Sequence, residues 1–163
     1  MIHIEAQNAI PEIAGYLAKG VQRDAVLTEM ADYLVRRGAV KESYGSAVIQ
    51  RENTFPTGIP VEPIAVAIPH SDRDLVVNTT ILVAKLEQTV PFHRIDDVEL
   101  EVDVKVVFML AVDSNQGQLD TIARIMELVQ DADLIQQIDN AATAEEIRAL
   151  VSSAYVAGKE GAP

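Results

Sequence analysis

The chain has 163 residues and a formal net charge of −12 at pH 7, with 48% hydrophobic residues, 23% charged residues and no cysteine. These values indicate one folded domain and exclude disulfides and thiolate metal sites. They also argue against nucleic acid as a partner, because phosphate binding needs a basic surface. No apolar run reaches the roughly 20 residues of a membrane helix, and the start of the chain lacks the features of a secretory signal. We therefore expect a cytoplasmic protein without direct membrane insertion.

Two helices are predicted in the first third of the chain. Apolar residues at helical spacing between Leu27 and Val35 predict a helix with Asp24 as its N-cap and Gly38 at the C′ position. A second, shorter helix is predicted from Glu42 to about Glu52. Residues 54–63, which contain three prolines and a glycine, predict an ordered loop.

Three strands follow this loop. The first is the apolar run Ile64–Ile68, and the second is Thr79–Leu86, which is rich in β-branched residues. The third, Val102–Val112, alternates at its start and then becomes continuously apolar, which is typical of a strand that is buried on both faces at its end.

The last third of the chain is predicted to be helical. An apolar stripe from Leu119 to Val129 indicates one helix, and Thr143 with Glu146 forms a capping-box pair that opens the last one. Residues 158–163 are expected to form a frayed tail. Helices, strands and helices in this order predict an α/β or α+β fold, with a mixed sheet between two layers of helices.

A histidine directly follows the first predicted strand. Because proline cannot donate to a sheet ladder, pairing should stop at Pro69, and His70 should lie on stiff backbone at the strand end. A neutral imidazole in this position is a candidate nucleophile. The pattern alone leaves open that His70 is a structural loop histidine.

No pattern typical of a metal or cofactor site is present in the sequence. The histidines do not form a zinc-ligand cluster, and neither a Walker loop nor a Gly-x-Ser-x-Gly elbow occurs. His93 is expected in a turn between two strands, without a direct role. We therefore expect no metal and no cofactor.

The segment Phe55-Pro56-Thr57-Gly58-Ile59, followed by Ala65-Val66-Ala67-Ile68-Pro69-His70, resembles a known active-site signature. It is similar to that of the IIA components of the bacterial sugar phosphotransferase system, in the fructose–mannitol superfamily and its galactitol-type branch. The resemblance extends to Arg51-Glu52, to the strand 104–112 and to the polar turn 114–119. It implies a single EIIA type-2 domain over residues 1–157, with a mixed sheet between helices.

The resemblance also implies the roles of individual residues. His70 would accept a phosphoryl group from the phosphohistidine of the carrier protein HPr and pass it to a IIB component, and so indirectly serve a membrane IIC component. Arg51 would hold phosphoryl oxygens. Ser71 would contribute a hydrogen bond through its hydroxyl or backbone N–H. Gln118 stands where mannitol- and fructose-type relatives carry a second histidine, and it retains only hydrogen bonding.

Alternatives remain open at this point. Arg51 is equally explained as a solvated residue near a helix C-terminus, and Gln118 as a polar residue in a first helical turn. A regulatory IIA-like module, whose phosphorylation state controls binding to a partner protein, is a second function, and a scaffold without transfer activity is a third. For partner docking we expect a modest apolar patch near His70 that includes Phe55, Ile59 and Pro60. The oligomeric state and the sugar are not readable from the sequence.

Overall fold

The computed structural model describes residues 11–161, which form five strands and five α-helices. The strands are β1 (Glu12–Ala18), β2 (Gly58–Ile59), β3 (Ala65–Ala67), β4 (Thr80–His93) and β5 (Glu101–Ala111). The helices are α1 (Arg23–Arg36), α2 (Tyr44–Thr54), α3 (Asn115–Val129), α4 (Ala132–Asn140) and α5 (Ala144–Gly161), and a short 3₁₀ helix covers Arg73–Leu75.

The strands form one mixed sheet in the order β1-β4-β5-β3-β2. β1 is parallel to β4 and β3 is parallel to β5, while β4 with β5 and β2 with β3 are antiparallel. Helices α1 and α2 pack on one face of the sheet, and α3, α4 and α5 pack on the other. The predicted mixed sheet between two helical layers is confirmed. No helix among residues 11–161 is long and apolar enough to cross a membrane.

The continuously apolar end of β5 is explained by its place in the middle of the sheet. Val106, Phe108 and Leu110 point to the core under α3–α5, whereas Val107 and Met109 point to the core under α1 and α2. All five side chains are fully buried. A central strand that is covered on both faces therefore needs apolar residues at every position.

The ends of two helices test the capping predictions. The predicted C′ glycine is confirmed, because Gly38 has a positive φ of 74°, which glycine adopts without steric cost. The predicted N-cap was wrong. Helix α1 begins at Arg23 after Gln22, whose carbonyl already accepts a bond from the Val26 N–H, so Asp24 lies inside the first turn.

The predicted capping box is formed in part. The Thr143 hydroxyl accepts from the Glu146 N–H at 3.1 Å, but the Glu146 carboxylate accepts from the N–H of Ala142 and not from that of Thr143. Helix α5 then continues to Gly161, so the backbone is helical over residues 158–161 of the expected tail. Residues 1–10 and the last two residues lie outside the described range.

Strand β4 is longer than predicted. Its pairing with β5 is interrupted between Lys85 and Val90 and then resumes as far as His93. Because the register shifts at this irregularity, apolar and polar residues do not alternate regularly through the second half of the strand, and the sequence pattern did not predict it. His93 consequently lies at the end of a strand and not in the predicted turn. Its Nδ1 atom is 2.8 Å from the Val98 carbonyl oxygen.

The apolar stripe of α3 does not begin where the sequence predicted. Thr121, Ile125 and Leu128 form its buried face, whereas Leu119 is 64% exposed. At 3.6 residues per turn, Leu119 lies roughly 200° around the helix from Thr121, on the side away from the sheet. Leu119, the first residue of the predicted apolar stripe, is therefore not part of the buried face.

Candidate functional site

The site lies at the edge of the sheet where β3 and β5 end. These strands are parallel, so their carboxyl ends meet at one edge. The N–H of Leu110 donates to the Pro69 carbonyl at 3.0 Å, which places His70 beside Leu110. Pro69 has no N–H to donate, as predicted. Its carbonyl still accepts from Leu110, so pairing extends to His70 and does not stop at Pro69 as we expected. Helix α3 begins four residues after β5 and brings its first turn to the same edge.

The imidazole of His70 is oriented by the backbone two residues earlier. Its Nδ1 atom lies 2.8 Å from the carbonyl oxygen of Ile68. A carbonyl oxygen can only accept a hydrogen bond, so in the neutral ring Nδ1 carries the proton and Nε2 holds the free lone pair. The chemistry of the ring therefore belongs to Nε2.

The surroundings of His70 keep its ring neutral. Burial lowers the pKa of His70 below its ordinary value, and the positive charge of Arg51 lowers it further, while the hydrogen bond to the Ile68 carbonyl acts in the opposite direction. The net effect favours an unprotonated Nε2 near pH 7. That atom is then ready to act as a nucleophile.

The cation whose charge acts on His70 is Arg51, in the last turn of α2. The guanidinium carbon of Arg51 lies 5.3 Å from the centroid of the Phe55 ring, which supports the cation through its π face. The Nε atom of Arg51 is buried and has no hydrogen-bond partner within residues 11–161. A cleft of about 280 Å³ is lined by Arg51, Phe55 and Ser71, together with Ala47, Gln50, Thr54 and Asp72.

The backbone of Ser71 is held by a side chain from α3. Its carbonyl accepts from Nε2 of Gln118 at 3.0 Å. The residue itself is buried and borders the cleft, so its hydroxyl and its backbone N–H are the groups considered for phosphoryl binding.

The structure brings the four residues singled out from the sequence into one region. Arg51 and Ser71 line the cleft, and the charge of Arg51 lowers the pKa of His70, the residue before Ser71. Gln118 reaches the Ser71 backbone from α3. His70 itself is not among the residues that line the cleft.

The sequence assigned no role to Tyr44, Thr57 or Glu52, whose side chains hold this backbone. Thr57 lies within the matched signature and Glu52 beside Arg51, but the signature does not show what their side chains bind.

Part of the predicted docking patch is not on the surface. Ile59 is only 5% exposed and belongs to the core under α3–α5, because β2 pairs with β3 at this point. Phe55 is 60% exposed and remains available, and the exposed Leu119 adds a second apolar side chain beside Gln118 in the chain. Gly58 explains the close packing of this segment, since a Cβ there would lie 2.6 Å from the His93 carbonyl oxygen.

Residues 16–154 match the family model described as "Phosphoenolpyruvate-dependent sugar phosphotransferase system, EIIA 2". The chain belongs to this family. A curated relative of this EIIA protein is the galactitol-specific EIIA component of the phosphotransferase system of Escherichia coli strain K12. The two are 31% identical over 118 residues, which cover 72% of this chain and 78% of that relative.

Solved structures support the same fold for this EIIA chain. One is the complex of the mannitol enzyme IIA with phosphorylated enzyme IIB from Escherichia coli, with a TM-score of 0.70, 19% identity, and coverage of 87% of this chain and 94% of that one. Another is the nitrogen regulatory protein IIA-Ntr from Neisseria meningitidis, with a TM-score of 0.62, 18% identity, and coverage of 86% and 92%. At these identities the likeness shows the fold alone.

Proposed function

We propose that this EIIA protein is a phosphocarrier, which accepts a phosphoryl group from phospho-HPr on Nε2 of His70 and passes it to a IIB component. The observation that carries the proposal is the 2.8 Å contact between His70 Nδ1 and the Ile68 carbonyl. This contact leaves the lone pair on the opposite nitrogen of a ring whose lowered pKa keeps it neutral. Neutral imidazole can attack phosphorus without a separate base.

The transfer step balances without a cofactor. The Nε2 lone pair of His70 forms the new N–P bond, and the N–P bond of the donor phosphohistidine breaks with its electron pair returning to the donor ring. His70 keeps its proton on Nδ1, so the phosphorylated ring gains positive charge. The Ile68 carbonyl accepts from that N–H and stabilises this charge. A protonated ring is also a better leaving group in the onward transfer.

Arg51 supplies the positive charge that a migrating phosphoryl group needs. Catalysis of phosphoryl transfer consists mainly of positioning and of stabilising charge on the equatorial oxygens. The planar fork of Arg51 suits two such oxygens at once, and its Nε has no hydrogen-bond partner within residues 11–161. The chain carries a net charge of −12, so this local cation must offset the general repulsion of an anion.

Ser71 and Gln118 have supporting roles in the proposal. The Ser71 hydroxyl borders the cleft and donates to a phosphoryl oxygen. Gln118 holds the Ser71 carbonyl with one N–H, and its second N–H remains for the phosphoryl group. An amide carries neither charge nor proton, so Arg51 supplies the charge stabilisation that a second histidine shares in mannitol-type relatives.

The onward acceptor is a IIB component of galactitol type. The mannitol IIA neighbour was solved in complex with its phosphorylated IIB, and the curated relative is galactitol-specific. We infer that transfer from His70 to IIB serves the uptake of a sugar or polyol through a membrane IIC component. Phe55 and Leu119, both exposed, contribute to the surface on which the partners dock.

Phosphate labelling tests this function. Enzyme I, HPr and labelled phosphoenolpyruvate should place an acid-labile, alkali-stable label on the wild-type protein and on His93→Gln, a control that removes an exposed histidine. His70→Gln should carry no label, and addition of IIB should discharge the wild-type protein. A label that persists in His70→Gln would overturn the assignment. A label that no IIB removes, but that switches binding to another protein, would instead support the regulatory alternative.

A further inference from the structure

A buried carboxylate lies in the residue next to Arg51. Glu52 is only 2% exposed, and its two oxygens accept from Thr57, from the backbone N–H at 2.7 Å and from the hydroxyl at 2.9 Å. Burial raises the pKa of Glu52, while these bonds and the charges of Arg23 and Arg51 lower it. Burying a carboxylate costs free energy unless it is hydrogen-bonded, and both oxygens of Glu52 accept such bonds.

The Thr57 hydroxyl connects this carboxylate to the strand before His70. It accepts from the Ile68 N–H at 3.2 Å while it donates to Glu52. The direction of both bonds is determined, since a backbone N–H only donates and an ionised carboxylate only accepts. We call the pair Glu52 and Thr57 the Glu52–Thr57 clamp.

Both backbone groups of Ile68, its N–H and its carbonyl, therefore take part in hydrogen bonds. Its N–H is held by Thr57, and its carbonyl holds the Nδ1 atom of His70. The next residue is Pro69, whose ring limits backbone rotation between the two bonded residues. A shift of Ile68 would move the carbonyl that sets the tautomer of His70.

We propose that Glu52 and Thr57 are positioning residues for phosphoryl transfer, which hold Ile68 so that its carbonyl keeps His70 protonated on Nδ1 and presents Nε2. The inference rests on the proposed function of His70. The clamp does not touch the phosphoryl group. It acts through the Ile68 backbone, and the same α2 segment carries Arg51, so one buried carboxylate places both groups.

The test uses Thr57→Val, which keeps the side-chain shape and removes the hydroxyl, and Glu52→Gln, which removes the charge. Thr57→Ser keeps the hydroxyl and should restore wild-type behaviour. Thr80→Val is the matched control, because Thr80 is also fully buried and its hydroxyl bonds only to the Asn78 carbonyl among the described residues. Thermal unfolding of each variant measures the general cost of losing a buried hydroxyl.

Two readouts separate positioning from stability. Nitrogen NMR of labelled imidazole should show His70 protonated on Nδ1 in the wild type, in Thr57→Ser and in Thr80→Val, and a mixture of tautomers in Thr57→Val and Glu52→Gln. The rate of labelling from phospho-HPr should fall about tenfold to a hundredfold in the latter two, because small misplacements of reacting groups have effects of this size.

The outcomes distinguish the inference from the proposed function. If Thr57→Val and Glu52→Gln keep the wild-type tautomer and labelling rate, the inference is overturned. If Thr57→Val does not fold, Glu52→Gln decides by the same two readouts. If the wild-type protein accepts no label, the proposed function fails, and the tautomer measurement alone decides whether the clamp holds His70.

Discussion

The Tyr44 hydroxyl donates a hydrogen bond to the carbonyl oxygen of Leu110, 3.0 Å away. Leu110 pairs with His70 across the sheet edge, so this hydroxyl joins α2 to the strand beside His70. Burial raises the pKa of Tyr44 well above its usual range, which keeps the hydroxyl protonated and able to donate. The strand next to His70 is thus held by a side chain from another element.

Tyr44→Phe should destabilise the protein. The substitution removes the hydroxyl but not the ring, so it leaves the buried Leu110 carbonyl without this donor. We expect the free energy of unfolding to fall by about 1–3 kcal/mol, the usual cost of an unsatisfied buried group. Urea unfolding measures it. Tyr33→Phe is the control, since its hydroxyl accepts from Arg37 at an exposed position, and an equal loss in both variants would contradict the prediction.

The lowered pKa of His70 predicts a pH-dependent stability. A histidine whose folded pKa lies below its unfolded value of about 6.5 contributes stability above that pH and loses it as the pH falls through the folded pKa. The difference in unfolding free energy between wild type and His70→Gln should therefore shrink on acidification below about pH 6.5. This difference isolates His70 from the opposite effect of Glu52, whose pKa is raised.

Proton NMR titration of the His70 ring provides the direct measurement. The midpoint should lie below about 6.5. Labelling by phospho-HPr should stay constant on acidification until the pH reaches that midpoint, because the neutral ring is the nucleophile. A midpoint above the ordinary histidine value would refute this account of the site.

Arg51→Lys should slow phosphoryl transfer more than it affects folding. Lysine keeps the charge but loses the planar fork and the stacking on Phe55, so it cannot hold two oxygens in the same geometry. We expect labelling to slow by at least about tenfold, since one charge-assisted hydrogen bond contributes roughly 1.5–3 kcal/mol. A quenched time course of labelling with phospho-HPr measures the rate. Arg73→Lys, at an exposed site after His70, serves as the control, and equal rates in the two variants would remove Arg51 from the mechanism.

Gln118→Leu should have a smaller effect on transfer. The variant loses the hydrogen bond from Nε2 to the Ser71 carbonyl, which is one neutral bond worth about 0.5–1.5 kcal/mol. The expected slowing is therefore a few-fold, below that of Arg51→Lys. Gln116→Leu is the matched control in the same turn, because its side chain bonds to the exposed Asp120. A loss of transfer in Gln118→Leu as large as in His70→Gln would contradict the supporting role proposed for Gln118.

The candidate site could be predicted from the sequence as far as local pattern and family resemblance reach. The apolar strand with Pro69 and His70 marked the candidate nucleophile, and the matched signature drew attention to Arg51. What could not be predicted is which group orients the ring. The Ile68 carbonyl is only two residues away, but a backbone oxygen has no signature in sequence, and its role depends on how the chain bends at Pro69.

Errors of pattern reading have a common cause. Leu119 is apolar and falls near the helical stripe, yet α3 turns it away from the sheet, and Ile59 sits in a Pro-rich segment, yet β2 pairs it into the core. Periodicity reports which residues share a face of an element. It does not report which face the rest of the chain covers.

The amino-acid sequence by itself determined the layered fold and the histidine, because hydrophobic periodicity and the rigidity of proline act over a few neighbouring residues. Only the tertiary structure decided how His70 is oriented. Tyr44, Thr57 and Gln118 reach the backbone around His70 from three separate segments, at sequence separations that no local rule covers. Their hydrogen bonds exist only once both helical layers have packed on the sheet, and they hold the strand end whose Ile68 carbonyl fixes Nδ1 of the ring.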